Sequence, residues 1–167
     1  MARAEFDPSP LFELLIRHEV DFVVVGGIAA AALGSARATF DIDIAYARDR
    51  ENLERLARAL GEAEATLRGA PPDLPFLLDA ETLMAGQNFT FATRFGPLDI
   101  LGDPVGAPPY RELCARAAPV EIRGFTVRIA SVDHLIAMKE AAGRPHDKAV
   151  AQELRAISDE LRQPPDD

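Results

Sequence analysis

Residues 22–44 read FVVVGGIAAAALGSARATFDIDI, and the architecture of the chain turns on how this stretch is parsed. Phe22-Val23-Val24-Val25 is a short β-branched run halted by Gly26-Gly27, which reads as a buried strand. Ile28 to Leu33 is apolar and alanine-rich, and Gly34 stands where a helix-terminating glycine belongs, so a short helix follows. Asp41-Ile42-Asp43-Ile44-Ala45-Tyr46 alternates with period two, which predicts a second strand. On such a strand Asp41 and Asp43 share one face while Ile42 and Ile44 point the other way, into a core.

Upstream, Asp7-Pro8-Ser9-Pro10 reads as a helix start with Ser9 as the N-cap, and Leu11, Leu14, Leu15 and His18 fall on one face. Downstream, Asp49 can cap a helix whose Leu53, Leu56, Ala57 and Leu60 form an apolar stripe. The proline-rich stretch 71–75 must loop. Phe89, Phe91, Thr93 and Phe95 alternate as a strand, and Gly96-Pro97 turns it into Leu98-Asp99-Ile100-Leu101, a hairpin partner. A short helix around Tyr110 to Ala117 comes next. Arg123-Gly124 separates two further strands, Ser131 caps a helix to about Ala142, and a last helix runs from Pro145 to about Leu161 into a frayed polar tail.

Two carboxylates side by side repel unless a cation sits between them, and hard divalent ions such as Mg²⁺ take such oxygen ligands together with substrate phosphates. Glycines let phosphate approach the backbone, and a following helix start offers free N–H groups. Each feature alone has a blander reading: a solvated strand face for the aspartates, a tight bend for the glycines. Their concentration within 23 residues puts an anion site beside a cation site.

Val25-Gly26-Gly27-Ile28-Ala29, Gly34 and Arg37-Ala38-Thr39-Phe40-Asp41-Ile42-Asp43-Ile44 together resemble the signature of the DNA polymerase β-like nucleotidyltransferases. The Gly-Gly form with Arg-x-Thr-x-Asp-x-Asp is most similar to AbiEii-like toxins and to small bacterial antibiotic nucleotidyltransferases. The resemblance implies an α+β fold, a small mixed sheet flanked by helices, with the C-terminal helices beside the cleft. It implies Mg²⁺ or Mn²⁺ on Asp41 and Asp43, with Asp99 as third carboxylate, holding a second metal or taking the acceptor's proton. Asp103 is a nearby rival, but before Pro104 it looks like a turn residue. Gly26, Gly27, Arg37, Thr39, Lys139 and Arg144 become the nucleotide-binding set. For Arg37, a phosphate contact and a structural ion pair stand as equal readings. Arg144 can instead pair with Asp147 and pin the last helix, and Val150 replaces a second aspartate that relatives often carry. The implied reaction moves NMP from an NTP to an acceptor hydroxyl. That acceptor is either tRNA, with an antitoxin-type protein partner, or a small hydroxylated molecule; a binding module without turnover is the rival class.

Totals bound these readings. With 167 residues the expectation is one domain, its core at about 10–130 and a helical part at about 131–162. A net charge of -9 gives no basic footprint for nucleic acid as a whole. Cys114 is the only cysteine, which excludes an intrachain disulfide and a cysteine metal cage and fits a cytoplasmic setting. The first residues lack the apolar stretch of a secretory leader, and no apolar run approaches a membrane span. His18, His134 and His146 lack metal-ligand spacing, and Cys114 has no activating pattern around it.

Overall fold

The computed structural model describes residues 6–71 and 73–165. Expectations about the leader-free start and the frayed end fall in part on residues 1–5 and 166–167, outside the described residues. The described chain runs α1 (Ser9–Arg17), β1 (Phe22–Val25), α2 (Gly26–Ala32), β2 (Ile42–Tyr46), α3 (Arg50–Glu62), β3 (Thr66–Leu67) and α4 (Ala80–Ala85). It continues through β4 (Asn88–Thr93), β5 (Gly96–Leu101), α5 (Tyr110–Arg116), β6 (Ala118–Ile122), β7 (Phe125–Ile129), α6 (Val132–Ala142) and α7 (Pro145–Arg162). The strands form one seven-stranded mixed sheet in the order β3-β4-β5-β2-β1-β7-β6.

The central strands follow the period-two pattern. Ile42, Ile44, Leu98 and Ile100 are buried, while Asp43 and Asp99 point to the opposite face. β2 and β5 are parallel neighbours with Asp43 directly beside Asp99, and β1 runs antiparallel to β2 with Val25 beside Asp43. Leu11, Phe12, Leu14 and Leu15 of α1 and Leu53, Leu56 and Leu60 of α3 complete the core. On the C-terminal side α6 packs against α7 and α2.

Capping explains most element ends. Asp49, Asp79 and Ser131 each accept the N–H three residues on, satisfying an orphan donor of α3, α4 and α6. Gly143 closes α6 in the left-handed region, at φ 71°. Arg123 and Gly124, both at positive φ, make the two-residue turn between β6 and β7.

Three local expectations need correction. Ser9 lies inside α1, because the Asp7 carboxylate accepts both its N–H and its hydroxyl and Pro8 takes the cap position. The β4–β5 turn is Arg94-Phe95, not Gly96-Pro97: the Thr93 hydroxyl donates to the Gly96 carbonyl and accepts the Phe95 N–H, so β5 already begins at Gly96. Asp41 sits one residue before β2. The loop expected around residues 71–75 is present, but β3 before it and α4 after it carried no readable period.

Candidate active site

The acidic cluster is built by strand register. Asp43 and Asp99 are lateral neighbours on adjacent parallel strands, and Asp41 joins them from the residue leading into β2. One carboxyl oxygen from each of the three lies within 4.8 Å of the others. Burial pushes Asp43 up to about 7, reinforced by the charges of Asp41 and Asp99 and by a hydrogen bond between the Asp43 and Asp99 carboxyls. Asp41 is also raised, first by burial and then by the charge of Asp99. Crowded, half-buried oxygen donors of this kind are relieved by a hard divalent cation, so the donor set fits Mg²⁺ or Mn²⁺.

The glycine pair is explained by what faces it. Gly26 lies at φ +70°, and a Cβ there would stand 2.0 Å from Oδ2 of Asp43. A Cβ on Gly27 would stand 2.9 Å from the Thr39 hydroxyl oxygen. Thr39 in turn donates to the Asp41 carbonyl at 3.3 Å. The two glycines and Thr39 therefore fit the first turn of α2 closely against the loop that carries Asp41.

The cluster opens into a cleft of about 560 Å³ lined by Gly27, Ser35, Arg37, Thr39, Arg68, Lys139, Arg144 and Asp147 among others. Arg37 and Glu153 of α7 approach at 3.5 Å, and Glu153 also accepts the Ser35 hydroxyl and the Ala36 N–H. Arg37 thus forms the ion pair while still lining the cleft. Asp147 is buried, with Lys139 Nζ at 3.3 Å and Arg144 Nε at 2.7 Å. The Lys139–Asp147 pair ties the end of α6 to the start of α7, Arg144 pairs with Asp147 within the first turn of α7, and the Arg144 guanidinium draws the Asp147 carboxyl below its ordinary range. Val150, on the same helix, lines the cleft with a buried apolar side chain.

A smaller arm of about 290 Å³ reaches Asp43 and Asp99 from the α6 side, between Leu101, Pro104, Val105, Leu135 and Met138, with Asn88 at its edge. All nine residues singled out from the sequence line one or other arm. The sequence did not single out Arg68, whose Nη2 donates to Oδ1 of Asp99 at 2.7 Å. No local pattern marks it, because it follows a two-residue strand and its partner is 31 residues away. His146 lines the cleft, while His18 bonds Glu62 and His134 is buried at the start of α6. Cys114 accepts from Arg128 on the far side of β7.

No family model matches the chain, and no curated protein is significantly similar to it in sequence. Solved structures do share its architecture. The lincosamide antibiotic adenylyltransferase LnuA, bound to lincomycin, superposes with a TM-score of 0.58 at 14% identity, over 89% of this chain and 94% of that one. ANT(2")-Ia in complex with adenylyl-2"-tobramycin gives 0.55 at 17%, over 91% and 92%. An antigenic nucleotidyltransferase-like protein from Paracoccidioides brasiliensis gives 0.53 at 16%, over 89% and 72%. At these identities the likeness is one of fold: the chain has the architecture of nucleotidyltransferases, as the resemblance of residues 22–44 implies.

Proposed function

We propose that this chain, a nucleotidyltransferase in fold, is one in activity, moving NMP from an NTP to the hydroxyl of a small acceptor and releasing pyrophosphate. The observation that supports the reading is the convergence of Asp41, Asp43 and Asp99 on one point, at the floor of a cleft rimmed by Arg37, Lys139 and Arg144. Mg²⁺ or Mn²⁺ held by the three aspartates would offset negative charge on the attacking and leaving oxygens. Asp99 accepts the proton of the acceptor hydroxyl as general base. Lys139 supplies a point charge to the triphosphate, and Arg144 and Arg37 supply planar donors at the rim. Gly26 and Gly27 leave the space in which the Asp43 carboxylate and Thr39 take their positions, and Thr39 steadies the Asp41 backbone. Asp147 keeps Lys139 and Arg144 in place without touching the reacting atoms.

A small molecule is favoured as acceptor over tRNA. The smaller of the two arms that meet Asp43 and Asp99 is walled by Leu101, Pro104, Val105, Leu135 and Met138 besides Lys139, Arg144 and Asp147, which suits a compact acceptor. A net charge of -9 works against binding a polyanion. The lincosamide antibiotic adenylyltransferase LnuA, of similar fold, was seen with lincomycin, and ANT(2")-Ia with adenylyl-2"-tobramycin. Transfer to tRNA under the control of an antitoxin-type protein is the competing acceptor reading. The whole described chain acts as one catalytic domain, and its lone Cys114 suits the reducing cytoplasm. Among the described residues, no helix is long and apolar enough to cross a membrane.

The test incubates the protein with each α-labelled NTP and Mg²⁺, once with a panel of hydroxylated small molecules and metabolite extract and once with total RNA. Label in the small-molecule arm, abolished by chelator, is expected. Label on RNA would overturn the acceptor, and no transfer in either arm would overturn the activity.

A further inference from the structure

We propose that Arg68 is a positioning residue that keeps one carboxyl oxygen of Asp99 engaged in the free protein, so that Asp41 and Asp43 take a divalent cation first and Asp99 completes the ligand set once the guanidinium lets go. The inference rests on reading the cluster as a metal site. Among the described residues, four lysine and arginine side chains line the main cleft: Arg37, Arg68, Lys139 and Arg144. Three have partners outside the cluster, Arg37 with Glu153 and the other two with Asp147. Arg68 alone is bonded to a member of it.

The geometry makes this bond a competitor rather than a bystander. Arg68 follows β3 at the sheet edge, where its N–H donates to the Thr90 carbonyl at 2.9 Å. Thr90 is the register partner of Asp99, so the side chain crosses one strand to put Nη2 2.7 Å from Oδ1. Its other terminal nitrogen reaches only the Phe91 carbonyl, at 3.4 Å. The Asp99 side chain is 16% exposed and fixed on a central strand, whereas Arg68 is 38% exposed and follows a two-residue edge strand. The guanidinium is the partner able to move. Until it does, one oxygen of Asp99 is engaged and a fixed positive charge stands beside the cluster.

The experiment titrates Mn²⁺ alone into the full chain by calorimetry and electron paramagnetic resonance, without nucleotide. Arg68→Gln is expected to tighten Mn²⁺ binding by about tenfold, since a like charge next to the cation is removed. Adding Asp99→Asn to that variant should erase the gain. Arg68→Lys, which keeps the charge, should stay near wild type. An Arg68→Gln protein with a native circular-dichroism spectrum and unaltered Mn²⁺ affinity would overturn the proposal. So would an Arg68→Gln plus Asp99→Asn protein that keeps the gain, or an Arg68→Lys protein that binds Mn²⁺ about tenfold tighter than wild type. The two readings fail separately. Transfer by wild type with no Arg68→Gln effect removes only the role of Arg68. Tighter Mn²⁺ binding in Arg68→Gln with no transfer removes only the enzymatic reading.

Discussion

Substituting Gly26 by alanine tests the packing that positions Asp43. The added Cβ would lie 2.0 Å from Oδ2, 2.8 Å from Cγ and 2.9 Å from Cβ of Asp43. Restoring even a 3.0 Å contact requires the oxygen to withdraw by about 1 Å. Side-chain rotation cannot do this alone, because Cβ of Asp43 is also too close and Val25, the preceding residue, is paired with Asp43 in the ladder. The left-handed φ of +70° adds a cost of about 1 kcal/mol for a residue with a Cβ. With about 1–3 kcal/mol for overpacking the total is about 2–4 kcal/mol, so the melting temperature should fall by roughly 4–16 °C. A displacement of about 1 Å at a reacting centre lowers rate by about 10²-fold. Differential scanning fluorimetry, metal–NTP calorimetry and pyrophosphate release would measure these separately. Gly27→Ala is the control. Its Cβ meets the Thr39 hydroxyl at 2.9 Å with no positive φ, so we expect less than about a tenfold loss. Wild-type transfer and metal affinity in Gly26→Ala, or equal damage from Gly27→Ala, would refute the reasoning.

Asp99→Asn should keep metal-dependent NTP binding and lose about 10²–10⁴-fold in transfer, since a general base acts on the transition state; single-turnover kinetics beside calorimetry would show a matching loss in both if the reasoning is wrong. Asp43 gives a pH signature in the metal-free protein. Its carboxyl is raised from 3.8 to about 7, so the fold retains a proton that the unfolded chain releases near pH 4. Its contribution to stability is therefore complete below about pH 4 and is lost as pH rises through about 7. Asp43→Asn should melt higher than wild type at pH 8 in chelator, by about 2–4 °C per kcal/mol regained, with a smaller difference at pH 5; equal curves at pH 8 would contradict the crowding. Asp147→Asn leaves Lys139 and Arg144 short of their shared partner and should cost about 1–3 kcal/mol in denaturant unfolding, with a higher KM for NTP.

The sheet centre was legible because its signals are local. The β-branched run of β1, the glycines after it and the alternation of β2 lie within 23 residues, and each depends on near neighbours. The same holds for the Asp49 and Ser131 caps and the Arg123-Gly124 turn. Asp99 was a different matter: its type and strand were readable, but its pairing beside Asp43 is a long-range register, and only the resemblance pointed to it. β3 has two residues and α4 six, too short to display a period, although Asp79 is a capping residue in plain view. Arg68 was missed for the same reason, compounded by a partner two strands away. Arg94-Phe95 was passed over as a turn because Gly96-Pro97 is the stronger local signal, while side-chain bonding at Thr93 sets the geometry.

Because Asp43 and Asp99 occupy matching rungs of two parallel strands, a folding error there is penalised at once. If β5 paired with β2 one residue out of step, Asp99 would turn inward among Ile42, Ile44 and Phe91, and Leu98 or Ile100 would face the water of the cleft. An unpaired carboxylate in that layer is costly enough to keep such a chain from settling. The acids that crowd one another in the finished protein thus also disfavour the neighbouring register, in which one of them would lie among apolar side chains.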